Sequence, residues 1–200
     1  MVSASDTLNR WRSSLKKLYT SYAVLFLIAG VVVLLDQLTK EWVRFNLFLG
    51  EVYRPELWLT HYIRIVHWKN TGAAFGMFQD MNPVFIVLSV LVSAVILYYF
   101  PQIPNQDWLV RLSMGMLLGG AIGNLVDRFR QGYVTDFISV GKFPVLNIAD
   151  ASISVGVAIL FVGMWLQEKN KKDLAPAEAE NPSPIQPDDA VGAPEEVQGE

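Results

Sequence analysis

Four apolar runs set the limits on what this chain can become: about Tyr22–Val43, Pro83–Phe100, Trp108–Val126 and Ile148–Leu166. Each is close to the roughly 20 residues that a helix, rising about 1.5 Å per residue, needs to cross the hydrocarbon core of a bilayer. Of the 200 residues 52% are apolar and 18% charged, and gathering the apolar ones into runs of this length is not what a soluble core of this size requires. The expected fold class is therefore all-α and polytopic, with four transmembrane helices.

Arg10, Arg12, Lys16 and Lys17 precede the first run as they would a secretory signal. No small-x-small cleavage site follows, and Asp36, Gln37 and Lys40 continue on the helix, so the run reads as a retained span. Tyr22, Trp42, Tyr98, Tyr99, Trp108 and Trp165 mark span ends as an interfacial aromatic belt. An even number of spans puts both termini on one side. Basic residues at the termini make that side cytoplasmic, but Arg44, Arg54, Arg64, Lys69, Arg130 and Lys142 occupy the other, so charge leaves the orientation open.

Between the first two spans, Trp58–Lys69 alternates roughly with period two and is rich in Tyr, Trp, Ile and Val, which reads as a small β-rich region at the membrane surface. Asn70-Thr71-Gly72-Ala73-Ala74-Phe75-Gly76 then switches to turn and small residues, where backbone approaches a ligand closely. Gly115, Gly119 and Gly123 on the third span, like Ser89 and Ser93 on the second, form small-residue faces that let helices pack in lipid. From about Lys172 the chain is dominated by Ala, Pro, Glu and Asp. The expected organisation is an N-terminal segment 1–20, a four-helix membrane domain 21–168 and a disordered tail 169–200.

There is no cysteine, which excludes disulfides, thiol catalysis and thiolate-held metals. His61 and His67 lie in the alternating segment without a His-Glu-x-x-His pattern, so they read as loop or strand residues and no metal site is expected. The net charge of -3 comes with no basic stripe of the nucleic-acid kind.

Two aspartates stand where a polar chain meets the apolar helices: Asp136 in Val134-Thr135-Asp136-Phe137, and Asp150 in Asn147-Ile148-Ala149-Asp150. A carboxylate inserted at the bilayer centre costs about 2.5–3.5 kcal/mol, so a pair near one needs a reason. Asp150 has a structural one, since Asn147 can cap the fourth helix and an acid three residues on completes a box. Asp136 has none. Asp36 and Lys40, four apart, share a helix face and can pair. Asn124, Asp127 and Arg128 end the third span, where Arg128 offers a bidentate fork to a carboxylate or a lipid oxygen.

Asp36-Gln37-Leu38-Thr39-Lys40, Asn70-Thr71-Gly72-Ala73-Ala74-Phe75, Gly119-Gly120-Ala121-Ile122-Gly123-Asn124-Leu125-Val126-Asp127-Arg128, Val134-Thr135-Asp136-Phe137 and Asn147-Ile148-Ala149-Asp150 together resemble the successive motifs of the bacterial lipoprotein signal peptidase (signal peptidase II) family, in order, over about Leu34 to Ile153. The resemblance implies an aspartyl endopeptidase of the inner membrane that removes signal peptides from diacylglyceryl-modified prolipoproteins, cutting before the lipidated cysteine. It implies Asp136 and Asp150 as the catalytic pair, with supporting positions at Asp36, Lys40, Asn70, Gly72, Asn124, Asp127, Arg128 and Asn147. It also implies cytoplasmic termini, an extracytoplasmic β-rich region and a dyad near the outer face. No cofactor, metal or nucleic acid is expected, and membrane lipids and a monomeric state are.

Two carboxyl groups sharing one proton can act as base and acid on a water. The rivals are a Ser–Lys hydrolase using Ser139 and Lys142, or Ser152, a proton-coupled transporter, and a purely structural helical module. No serine stands in a recognisable nucleophile motif, transporters more usually place acids at the midplane between repeats, and a structural module leaves Asp136 unexplained.

Overall fold

The computed structural model describes residues 4–54, 62–72 and 81–180. Among these, the chain runs α1 (Ala4–Asn46), β1 (Val52–Tyr53), β2 (Ile63–Asn70), α2 (Asn82–Tyr99), a 3-10 turn (Phe100–Gln102), α3 (Trp108–Gln131), β3 (Val134–Val140) and α4 (Ile148–Glu180). The described residues fall into two units, one up to Met164 and one from Trp165 on. All four helices contain a stretch long and apolar enough to span a bilayer: Trp11–Asn46, Asn82–Gln102, Trp108–Gln131 and Ile148–Lys169. The protein is a polytopic, mostly helical membrane protein.

α3 is the most buried of the four. Its glycines explain how. A Cβ at Gly115 would stand 2.7 Å from Ile28 Cβ, one at Gly119 2.7 Å from Val32 Cβ, and one at Gly123 2.7 Å from Asp36 Oδ2. Each step of four residues on α3 thus meets a step of four on α1, so the two helices run in the same direction with backbones closer than any side chain allows. On its other side Gly120 lies against Ala149 O and Ile153 of α4. Leu25, Ala29, Ile96, Phe100 and Leu118 close the apolar core around this contact. Tyr22, read as a belt residue, belongs instead to this core: its ring packs on Phe100 and its hydroxyl donates to Leu97 O at 2.9 Å. Trp42, Tyr98, Tyr99 and Trp108 are exposed.

The β-rich region is a three-stranded antiparallel sheet in the order β1-β2-β3, so one of its strands comes from the connection between α3 and α4 and not from between helices 1 and 2. Segments 58–61 of the expected strand and 73–76 of the small-residue turn lie outside the described residues. The register of β2 on β3 shifts between Ile65↔Ile138 and Trp68↔Asp136, with Val66 and His67 together facing the single residue Phe137. This bulge turns both Val66 and His67 inward, where His67 Nδ1 lies 2.9 Å from Leu47 O. α4 runs on to Glu180, past the expected start of the tail, through Glu168, Lys169, Lys171, Lys172 and Leu174, all good helix formers. Residues 181–200 lie outside the described residues.

Candidate active site

Asp136 and Asp150 are brought together by a tight return of the chain. α3 ends at Gly132, whose φ of 79° is left-handed and whose N–H donates to Arg128 O, and β3 follows. After β3, Gly141 turns at φ 54° and the chain folds back until Leu146 pairs with Ile138, through Ile138 N–H to Leu146 O at 2.7 Å and Leu146 N–H to Ile138 O at 3.0 Å. The next residue, Asn147, therefore starts α4 beside Asp136.

Asn147 then serves both acids. Its Oδ1 accepts from Asp150 N–H at 2.9 Å and its own N–H donates to Asp150 Oδ2 at 3.2 Å, which is the reciprocal cap foreseen from the sequence. Its amide NH2 remains free of that task and donates to Asp136 Oδ1 at 2.7 Å and to Asn124 Oδ1 at 3.1 Å. Ser, Thr or Asp at this position could cap the helix but could not also supply an amide donor pair. The helix start and the carboxyl pair are one structure.

The other oxygen of Asp136 accepts from Asn70 Nδ2 at 2.8 Å. Asn70 sits on β2 opposite Val134, two residues along from the Trp68↔Asp136 pair, so it shares their face of the sheet. Its own carbonyl accepts from Gly72 N–H at 3.0 Å, an Asx turn that aims the amide NH2 at the acid. Asp150 Oδ1 accepts from Asn124 Nδ2 at 2.7 Å. Asp136 is buried and Asp150 half-buried. Burial first, then the neighbouring charge of Asp150, pushes the Asp136 carboxyl up to about 7, against the lowering pull of Asn70, Asn147 and Lys40.

Beneath this pair lies a second polar group. Lys40 Nζ, with no exposed surface, meets Asp36 Oδ2 at 2.8 Å, Asp127 Oδ2 at 3.2 Å and Asn124 Oδ1 at 3.0 Å. Asp36 Oδ1 accepts from Ala149 N–H at 2.9 Å, fixing the first turn of α4 to α1. Asp127 Oδ2 accepts from Thr135 N–H at 3.0 Å, fixing the start of β3 to α3. Asn124 joins the two groups, with its carbonyl on Lys40 and its amide on Asp150.

Of the ten residues singled out from the sequence, Asp36, Lys40, Asn70, Gly72, Asn124, Asp127, Asp136, Asn147 and Asp150 stand in this one connected network. Arg128 stands beside it: its guanidinium lies 4.9 Å from the Phe85 ring centre, within electrostatic reach of Asp150, Asp136 and Asp127. Sequence reasoning missed Gln37, which donates to Asp36 Oδ2, Gly123 O and Asp127 Oδ1 at 3.1, 3.1 and 3.3 Å. It also missed Arg44, which donates to Thr135 Oγ1 at 3.0 Å and lies 3.5 Å from Asp127 Oδ1. The signal was present, since Asp36, Gln37, Lys40, Glu41 and Arg44 form one polar stripe at helical spacing after a long apolar run. Ser139 is buried on β3 opposite Arg64, while Lys142 is exposed beyond the turn at Gly141.

The family model for signal peptidase (SPase) II matches residues 28–166. A lipoprotein signal peptidase of Moorella thermoacetica is 42% identical over 134 residues, which cover 67% of this chain and 87% of that protein. Another, of Halothermothrix orenii, is 36% identical over 149 residues, covering 73% and 98%. A solved structure described as a bacterial membrane enzyme superposes with a TM-score of 0.69 at 28% identity, covering 74% of this chain and 92% of that one.

Proposed function

Because the chain belongs to the signal peptidase II family of aspartic endopeptidases, we propose that it removes the signal peptide from diacylglyceryl-modified prolipoproteins by activating water between Asp136 and Asp150. The observation that carries this reading is the link through Asn147: one side chain and its backbone hold both carboxyl groups, and among the described residues every side-chain donor to them is a neutral amide. Two acids held this way, one deeply buried, share a proton near neutral pH. The ionised member takes a proton from water while the protonated member donates to the scissile carbonyl oxygen. On collapse of the tetrahedral species the proton taken from water passes to the leaving amine nitrogen, the other carboxylate takes one from a hydroxyl of that species, and the pair is left with its single proton. The two roles belong to the pair.

Asn70, Asn124 and Asn147 position the acids, and Asp36, Lys40, Asp127 and Gly72 hold the positioning groups in turn. Arg128, propped on Phe85, is placed to hold a carbonyl or ester oxygen beside the scissile bond. Buried acyl chains contribute about 0.8 kcal/mol per methylene, so the diacylglyceryl group supplies much of the binding and sets the bond at the dyad. On this reading the protein works in the bacterial inner membrane as a monomer, termini in the cytoplasm and dyad near the outer face, with the tail dispensable.

The test is direct. Detergent-purified protein is incubated with a diacylglyceryl-modified prolipoprotein and with its unmodified form, and cleavage is followed by mobility. Cleavage of the lipidated form, and far slower turnover of the other below saturation, is expected. Equal turnover of both contradicts the substrate assignment.

A further inference from the structure

The four-residue series that lets α3 approach α1 runs Gly123, Gly119, Gly115, and the next position in it is Arg111. Where the fourth small residue would stand, a guanidinium stands, and the two helices part around a groove of about 570 Å³. That volume is in the range of about 300–1,000 Å³ that ligand sites occupy. Val24 and Ile28 of α1 and Trp108 and Leu112 of α3 give it apolar walls, and Thr20 and Arg111 give it a polar end.

Arg111 is only 7% exposed. Its described partners are the Ile103 carbonyl, at 3.1 Å from Nη1, and the Phe100 ring, 4.4 Å from its carbon Cζ to the ring centre. Both are neutral. A guanidinium carries five N–H donors, so among the described residues most of its hydrogen-bonding capacity, and a positive charge met by no anion, are left to whatever enters the groove. Arg111 stands in the first turn of α3, at the end of the span where headgroups lie, and a guanidinium buried there is costly unless a counter-ion meets it. Lys16 and Arg12, both exposed, lie about one and two turns before Thr20 on α1. The approach to the groove is thus cationic and its walls apolar, complementary to an anionic lipid.

We propose that this groove holds an anionic membrane phospholipid, one acyl chain lying along Val24 and Ile28 and its phosphate bound by Arg111, with Arg12 and Lys16 above the headgroup. Basic pockets between transmembrane helices take lipid headgroups in this way. The site is separate from the acids: Arg111 and Asp127 are about 24 Å apart along α3 at 1.5 Å per residue. It does not depend on the reading of the dyad.

The full-length protein, delipidated in detergent, is offered phosphatidylglycerol or phosphatidylcholine with the same acyl chains, and retained lipid is counted by native mass spectrometry alongside thermal unfolding. The parent should retain phosphatidylglycerol about tenfold more strongly than phosphatidylcholine, the factor expected for one charge-assisted contact. Arg111→Gln should erase that preference, and Val24→Trp, which fills the groove without touching charge, should lower retention of both lipids. Absence of a preference in the parent, or its survival in Arg111→Gln, overturns the proposal. So does full stabilisation by inorganic phosphate alone, which would mark a simple anion site. If Arg111→Gln does not accumulate, Val24→Trp decides, and parental retention in that variant overturns the assignment.

Discussion

Asp36 and Asp127 are held by cations, whereas Asp136 and Asp150 are held by amides. In the first region Asp36, Glu41 and Asp127 face Lys40, Arg44 and Arg130 across ion pairs of 2.8–3.5 Å, so the charges balance. In the second, Asn70, Asn124 and Asn147 satisfy the oxygens without supplying a compensating charge. The same residue type does opposite work a few ångströms apart. A carboxylate paired with a cation ties elements together, while one satisfied by neutral donors in a buried site keeps a proton in play.

The largest effect expected from this contrast is on the amide-held pair. Asp136→Asn and Asp150→Asn should each reduce cleavage by at least about a hundredfold, the lower end of general acid–base contributions, while folding and membrane insertion persist. The double variant should be no worse than either single one, because the pair acts as a unit. Measurable turnover by purified Asp136→Asn would falsify the aspartyl mechanism. The result would also erase the distinction between the two regions.

Lys40→Met should do the reverse, damaging stability before chemistry. It strands Asp36 and Asp127 without their shared ammonium, and breaking a buried pair typically costs about 3–5 kcal/mol. Lower yield and an earlier thermal transition in detergent are expected, with reduced but detectable cleavage per folded molecule. Full cleavage with parental heat resistance would show that the cation holds nothing together.

A smaller, graded effect is expected on pH. The folded chain keeps a proton on Asp136 up to about 7, whereas an ordinary aspartate releases it near 3.8. Its contribution to stability is therefore complete below about 3.8, declines as pH rises between those values, and is lost above about 7. Cleavage should decline as pH rises past about 7 and the shared proton is lost, and Asp136→Asn should show a flatter dependence of thermal stability on pH over the same window. Parallel stability profiles in parent and variant would count against a buried proton.

The smallest effect should come from a change that touches neither region. Ending the chain at Lys172 should leave cleavage within a few-fold of the parent, since the removed residues are polar and proline-punctuated. A large loss in a well-folded truncation would mean that the acids depend on more than their own network.

The spans and the Asp36–Lys40 pair were legible because helical spacing is local: a 20-residue apolar run and an i, i+4 contact are both written in consecutive residues. The reciprocal Asn147–Asp150 cap was legible for the same reason. β3 was not. Val134–Phe137 are buried one after another, so the strand lacks the alternation that marks a half-exposed one, and its partner β2 comes from the far side of two membrane helices. Arg44 and Gln37 were hidden differently, one looking like a flanking charge at the end of the first span and the other lying uncharged between Asp36 and Lys40. Their roles depend on Asp127 and Thr135, which are distant in the chain.

The matched steps of α1 and α3 carry a consequence for how this sequence can vary in length. Ile28 meets Gly115, Val32 meets Gly119, Asp36 meets Gly123 and Lys40 meets Asp127. A single inserted residue between Ile28 and Lys40 would turn everything beyond it by about 100°, carrying Lys40 off Asp127 and toward lipid. An insertion of seven would restore the angle to within about 20°, but would slide the charges past their partners by some two turns. Neither phase nor height tolerates a change on one helix alone. Substitutions are open to lineages of this protein across the lipid-facing surface, but insertions and deletions in this stretch are closed to them unless both helices change together.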